Sequence, residues 1–240
     1  MKHIRLTAVL LLVAACGSPA GKVPQPQVLD LSAWVLSIPT VPPQEIRQPQ
    51  LDSYRSEFFQ NNFKDGRGAV RFTVPPDGGV QIGANFPRTE MYEKKVWSST
   101  EGRHVLEMTQ EIAAVPDDYP VVVGFQIHDP FGDILMLELD RKVGKSLLHL
   151  KTRDPAIPGS GVWNAATLET DYKLGTIYTL RVTAEKGLIS VDYNGKRALD
   201  FPLVKDEMYF KAGAYLQKTP SPGNGVGVTN IYSLKTQHDG

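Results

Sequence analysis

Asn194-Gly195 separates two alternating runs, Leu188-Ile189-Ser190-Val191-Asp192-Tyr193 before it and residues 196–201 after it. A two-residue type I′ turn needs positive φ at both central positions, which Asn and Gly tolerate, so this stretch specifies a β-hairpin. The same two-residue period recurs along the chain. Residues 69–74 alternate, and residues 121–127 are β-branched and aromatic. Residues 134–139 place Leu135, Leu137 and Leu139 on one face, and residues 177–184 do the same with Tyr178, Leu180 and Val182. Residues 226–234 supply a closing strand. No long amphipathic helix interrupts the pattern. One short helix is expected at 53–61, and the Pro-rich stretch 39–49 reads as a surface loop. Many short strands divided by turns specify an all-β jelly-roll sandwich of two antiparallel sheets. In such a fold each sheet buries one face and offers the other to water or ligand.

Three segments carry chemistry on the face that a core would not need. In residues 208–216 the even positions read Met208, Phe210, Ala212, Ala214 and Leu216. The odd positions read Tyr209, Lys211, Gly213, Tyr215 and then Gln217. One face is wholly apolar, and the other is a polar floor with two phenols, an amine and an amide. In residues 86–92, Arg88, Glu90 and Tyr92 share a face. In residues 121–128, strict alternation puts Gln126 and His128 on a face with Val122 and Gly124. Neighbouring strands lie about 4.8 Å apart, so three adjacent strands would gather these groups in one groove. Singly, each has an ordinary reading. Arg88 and Glu90 would be a solvated pair worth less than about 1 kcal/mol, the tyrosines cross-strand packing, and His128 a surface residue at a strand end.

Taken together, Arg88-Thr89-Glu90-Met91, Gln126-Ile127-His128 and the block from Tyr209 to Gln217 resemble the three signature blocks of alginate lyases of polysaccharide lyase family seven. Asp30-Leu31-Ser32-Ala33-Trp34 with Leu36-Ser37-Ile38-Pro39 is similar to that family's first strand, and residues 228–235 to its last. The resemblance covers residues 28–240 and implies a β-jelly roll with a concave substrate groove. It departs at Met91 and Tyr92, where the family usually has Leu and Arg, and at Leu216, where it usually has Asn.

The resemblance implies β-elimination on alginate, a linear chain of mannuronate and guluronate. That reaction removes the C5 proton beside the carboxylate and expels the oxygen at C4, leaving a C4–C5 double bond. An ionised carboxylate makes this proton weakly acidic, so the carboxylate must be neutralised and a base and an acid supplied. By resemblance the catalytic set is Arg88, Gln126, His128 and Tyr215. Arg88 pairs with the carboxylate, Gln126 donates to it as charge builds, His128 is the general base and Tyr215 protonates the leaving oxygen. For guluronate the two act from opposite sides; for mannuronate Tyr215 serves as base and acid. Ile127 in the second block resembles members that accept guluronate-containing links. Lys211, Gln217, Tyr209, Tyr92, Glu90 and Arg71 are the substrate-binding candidates, with Glu90 orienting Arg88 or a hydroxyl. No cofactor is expected, and no His/Cys/carboxylate spacing suggests a metal.

Three other readings stay open. A lyase of another polyuronate such as glucuronan needs the same residues. A non-catalytic carbohydrate-binding jelly roll needs the groove without working chemistry. A glycoside hydrolase needs paired carboxylates, for which Glu138 and Asp140 share a strand face.

The ends and composition bound the setting. Lys2 and Arg5 precede an apolar run at 6–15 that is too short to span a bilayer. Val13-Ala14-Ala15-Cys16 is similar to the lipobox of bacterial lipoproteins. Residues 1–15 then read as a lipoprotein signal peptide, and Cys16, the only cysteine, as the lipidated first residue. Residues 16–27, with Pro19, Pro24 and Pro26, read as a flexible tether, and Gly17 by similarity to sorting rules points to the outer membrane. Residues 28–240 form one domain, expected to act as a monomer. With 26 Lys and Arg against 26 Asp and Glu, no global field favours nucleic acid.

Overall fold

A computed structural model describes residues 29–63, 68–141, 145–153, 163–217 and 224–240. The expected signal segment, Cys16 and the tether lie outside the described residues. The strands are β1 (Trp34–Ile38), β2 (Gln44–Ile46), β3 (Phe59–Phe63), β4 (Ala69–Val74), β5 (Arg88–Glu93), β6 (Arg103–Ala114), β7 (Val121–Asp129) and β8 (Gly132–Asp140). They continue with β9 (Leu147–Arg153), β10 (Trp163–Glu169), β11 (Tyr178–Glu185), β12 (Leu188–Tyr193), β13 (Lys196–Pro202), β14 (Tyr209–Leu216) and β15 (Gly227–Asp239). One short helix, α1, spans Gln50–Ser53.

Two antiparallel sheets form the jelly roll. The first runs β10-β9-β8-β7-β14-β5-β1-β2 and the second β13-β12-β11-β6-β15-β4-β3. Phe125, Ile127, Leu135, Leu137, Leu139, Phe210 and Ala212 from the first meet Val70, Phe72, Leu106, Met108, Val182 and Ile231 from the second in one buried core. Burying such side chains is worth roughly 1.5–3 kcal/mol each, which fixes which face of every strand turns inward. The β12–β13 hairpin closes through Asn194 (φ 49°) and Gly195 (φ 75°), as its type I′ sequence requires.

Two local expectations fail. The helix expected at 53–61 is absent: α1 ends at Ser53, and Phe59 begins β3. Phe59 is wholly buried beside Phe72, and this sheet contact overrides local helical preference. The stretch 39–49 is more than a loop, because residues 44–46 add an edge strand through the register Leu36↔Ile46 and Ile38↔Gln44.

A buried polar bridge ties the two sheets together at the strand that carries the second motif. Gln110 of β6, wholly buried, donates through Nε2 to the Gly124 carbonyl at 3.1 Å and accepts at Oε1 from the Tyr178 hydroxyl at 3.0 Å. A Cβ on Gly124 would meet the Gln110 amide at 3.0 Å, so glycine permits the approach. The β7–β8 register slips between Val123 and Phe125. This bulge turns Val123 outward and leaves Val122 in the core, so neither Val122 nor Gly124 shares the face of Gln126 and His128. Gln110→Leu strands the Gly124 carbonyl and the Tyr178 hydroxyl. It is expected to cost about 1–3 kcal/mol, read as a lower urea midpoint at unchanged slope.

Candidate active site

The strand order β7-β14-β5 places the three motif segments side by side. Tyr215 stands opposite Arg88, Lys211 opposite both Tyr92 and Gln126, and Tyr209 opposite His128. Alternation on β14 holds as the sequence requires: Met208, Phe210, Ala212, Ala214 and Leu216 are all wholly buried in the core. Tyr209, Lys211 and Tyr215 are therefore displayed on the open face.

Glu90 is the hub of that face. It is 1% exposed, and its carboxylate accepts from Lys211 Nζ at 2.6 Å and Gln126 Nε2 at 2.5 Å, with Arg88 Nη1 at 3.3 Å. Burial alone would push the Glu90 carboxyl up, but the Lys211 and Arg88 charges and the hydrogen bonds hold it below the ordinary carboxylate range. Burial lowers the Lys211 ammonium, with Glu90 opposing. Two cations thus share one buried carboxylate. An incoming anion meets both cations, whose field the Asp133 charge partly offsets. The Gln126 amide keeps a second N–H, and Arg88 Nε is buried without a protein partner.

His128 and Tyr215 flank the hub. Asp129 Oδ1 accepts from the Phe131 and Gly132 amides at 2.7 and 2.9 Å, which shapes the hairpin directly after His128. His128 Nδ1 lies 2.5 Å from the Asp129 carbonyl and 3.0 Å from the Tyr209 hydroxyl. A carbonyl only accepts, so the ring proton sits on Nδ1 and Nε2 keeps its lone pair. Burial, helped by the Lys211 charge, depresses the His128 pKa and keeps the ring neutral. Burial raises the Tyr215 phenol, with the Arg88 charge opposing, and so keeps its proton on. The Arg88 guanidinium lies 4.0 Å from the Tyr215 ring centroid, while Val123, Met136 and Phe86 pack around that ring. Burial pushes the Tyr209 phenol up to about 12. The face therefore offers a neutral base, a protonated acid and a cationic clamp.

A pocket of about 620 Å³ opens over Arg88, His128, Tyr209 and Lys211, bordered by residues 81–84 and reaching Ser37 and Arg47 towards β2. Tyr92 enters it, its hydroxyl donating to Glu45 at 3.0 Å and accepting from Arg47 at 3.2 Å. Arg47 and Glu45 are site residues that the sequence hid inside a Pro-rich stretch. Asp133 is another: it stands opposite His128, and its charge acts on His128, Lys211 and Tyr215. Gln217 lies half-buried just beyond the end of β14. Arg71 is not in the cleft. It belongs to β4 of the other sheet, where Nε donates to Asn230 at 3.1 Å, because the core claims its neighbours Val70 and Phe72 and turns it to the opposite surface. Glu138 is 2% exposed and bonded to His149 and Lys151, so it is not an open acid for glycoside hydrolysis. Among the described residues, no three His, Cys, Asp or Glu side chains gather as a metal site.

A family model described as alginate lyase matches residues 29–238. The chain belongs to the alginate lyase family. It is similar to the solved alginate lyase AlgAT5 of polysaccharide lyase family 7, at 35% identity and TM-score 0.78, over 88% of this chain and 97% of that one. An alginate lyase from Pseudomonas aeruginosa matches at 30% identity and TM-score 0.78, over 88% of this chain and all of its own. One from Corynebacterium sp. matches at 29% and 0.77, over 90% and 98%. Among curated proteins none matches. The protein is a polysaccharide lyase with the family's β-jelly roll. For this lyase, kcat/KM is expected to fall on acidification with a midpoint below about 6.5, and to fall in alkali with a midpoint above about 10. Protonation of His128, whose pKa is lowered, is expected to set the first limb, and ionisation of Tyr215, whose pKa is raised, the second. A pH–rate profile of the free enzyme checks both.

Proposed function

We propose that this lyase depolymerises alginate with Arg88, Gln126, His128 and Tyr215 as its catalytic groups and guluronate as the sugar that yields its C5 proton. One observation carries this reading: a neutral imidazole and a protonated phenol stand on adjacent strands beside a clamp with one carboxylate between two cations. The uronate carboxylate docks against Arg88 and the remaining Gln126 N–H. These hydrogen bonds strengthen as C5 loses its proton and charge spreads into the carboxylate. His128 Nε2 takes the proton, the C5–H pair becomes the C4–C5 double bond, and the C4–O bond breaks. Tyr215 gives its proton to the departing oxygen, and the phenolate and imidazolium reset by exchange with water.

Separate base and acid groups support elimination from opposite sides, which is the guluronate geometry. With mannuronate one group must do both jobs, and burial that raises the Tyr215 phenol leaves little phenolate to take the proton. Tyr209, Lys211, Tyr92 and Gln217 are proposed to hold neighbouring sugars, with Glu90 orienting the clamp. The test is the initial rate of near-ultraviolet absorbance on separate polyguluronate, polymannuronate and glucuronan. The reading requires polyguluronate to be fastest; glucuronan leading would reassign the substrate.

We further propose that Cys16 carries a lipid that anchors the enzyme in a bacterial outer membrane, on the strength of the lipobox-like Val13-Ala14-Ala15-Cys16 and the Pro-rich tether. The enzyme is proposed to act as a monomer. Cys16→Ser is expected to move the protein from the membrane fraction to the soluble fraction. Retention of that variant in membranes would refute the anchor.

A further inference from the structure

The open face of the first sheet carries a second polar cluster, outside the catalytic pocket. Cross-strand partners link the two in one row: Arg88, Tyr215, Val123, Glu138 and His149, on β5, β14, β7, β8 and β9 in turn. Lys151 lies on the same face of β9 as His149, opposite Met136. At about 4.8 Å per strand, His149 stands roughly 14 Å from Tyr215. Val123 and Met136 form the apolar floor between.

Glu138 is 2% exposed. Its Oε1 accepts from Lys151 Nζ at 2.6 Å and from His149 Nε2 at 3.1 Å, while Oε2 is buried with no partner. An ammonium has three donors and Glu138 uses one, so Lys151, with 28% of its side chain exposed, retains N–H groups for a ligand. His149 Nδ1 has no hydrogen-bond partner among the described residues. The catalytic pocket reaches across β5 and β1 to Arg47 on the opposite side of Tyr215. A polymer lying in that pocket and continuing along the row past Tyr215 crosses β7, β8 and β9.

We propose that Lys151 and His149, held in place by Glu138, form a remote subsite that binds a carboxylate of the polyuronate a few sugars from the scissile bond. This rests on the reading of the cleft as a polyuronate lyase. Lys151 takes the carboxylate, His149 a ring hydroxyl, and Glu138 is a positioning residue that aims both. A polymer with one carboxylate per sugar is thereby gripped on both sides of the reacting unit, with Arg47 on one side and Lys151 on the other. The buried, half-satisfied Glu138 is costly as a mere strand fastener, since a buried ion pair is often no better than an apolar contact.

The experiment compares Lys151→Met with wild type on a guluronate trisaccharide and hexasaccharide, following the unsaturated product. The hexasaccharide-to-trisaccharide ratio of kcat/KM is expected to fall about three- to tenfold, the range for a partly exposed charge contact, through KM for the longer substrate. Lys151→Arg is expected to restore the ratio. A purely structural role lowers both substrates alike, and the ratio is independent of the fraction of enzyme that folds. An active wild type with the same ratio as Lys151→Met would overturn this proposal alone. A wild type inert towards every oligouronate would overturn the parent reading, and this one with it.

Discussion

Tyr215→Phe is expected to lower kcat on polyguluronate by about 10²–10⁴-fold, the usual worth of a positioned general acid. The change removes one oxygen and keeps the ring. The ring is what the fold uses: it packs on Val123, Met136 and Phe86 and lies beneath the Arg88 guanidinium. The melting temperature should therefore stay within a few degrees of wild type. KM should hardly move, because the carboxylate clamp of Arg88, Glu90, Lys211 and Gln126 does not involve the phenol oxygen. A loss confined to kcat assigns the hydroxyl to the chemical step; an equal rise in KM would make it a binding group.

His128→Ala is expected to cause a comparable loss, about 10²–10⁴-fold, with a different signature. The His128 ring bonds only to the Asp129 carbonyl and the Tyr209 hydroxyl among the described contacts, and both lie near the cleft surface. Its removal opens a space the size of an imidazole without cutting into the core. Added free imidazole should fill that space and restore part of the rate, with a pH dependence following the added base. Tyr215→Phe should gain nothing from the same treatment. Failure of rescue, with an intact fold and intact binding of oligouronate, would take the proton abstraction away from His128.

Much of this site was legible in the sequence because two-residue alternation alone assigns faces. Tyr209, Lys211 and Tyr215 could only be displayed if Phe210, Ala212 and Ala214 were buried, and they are. The same rule misled at β7. Strict alternation grouped Val122 with Gln126, and the bulge at Gly124 broke the count. Gln110, a polar residue from the opposite sheet, bonds to the Gly124 carbonyl there, and the glycine inside the strand is the local sign of the bulge.

β6 itself was unreadable. Its run Leu106-Glu107-Met108 is as helical as it is extended by propensity, and its buried positions include His104, Gln110 and Glu111. Tertiary pairing with β11 and β15 decides it. Arg71 looked like a cleft residue because its strand face was polar, but a face does not say which sheet it belongs to. Arg47 and Asp133 were invisible for the converse reason. Their roles come from neighbours brought alongside by sheet order, Tyr92 for the one and His128 for the other.

In the proposed mechanism the Arg88–Glu90–Lys211 clamp makes a C5–H bond breakable, so that the polysaccharide is cut by elimination and not by water. The most direct measurement counts two products from wild-type enzyme on alginate at once: new reducing ends, and unsaturated uronate by its near-ultraviolet band. One double bond is expected for every new reducing end throughout the reaction. Reducing ends that accumulate without the band would contradict it.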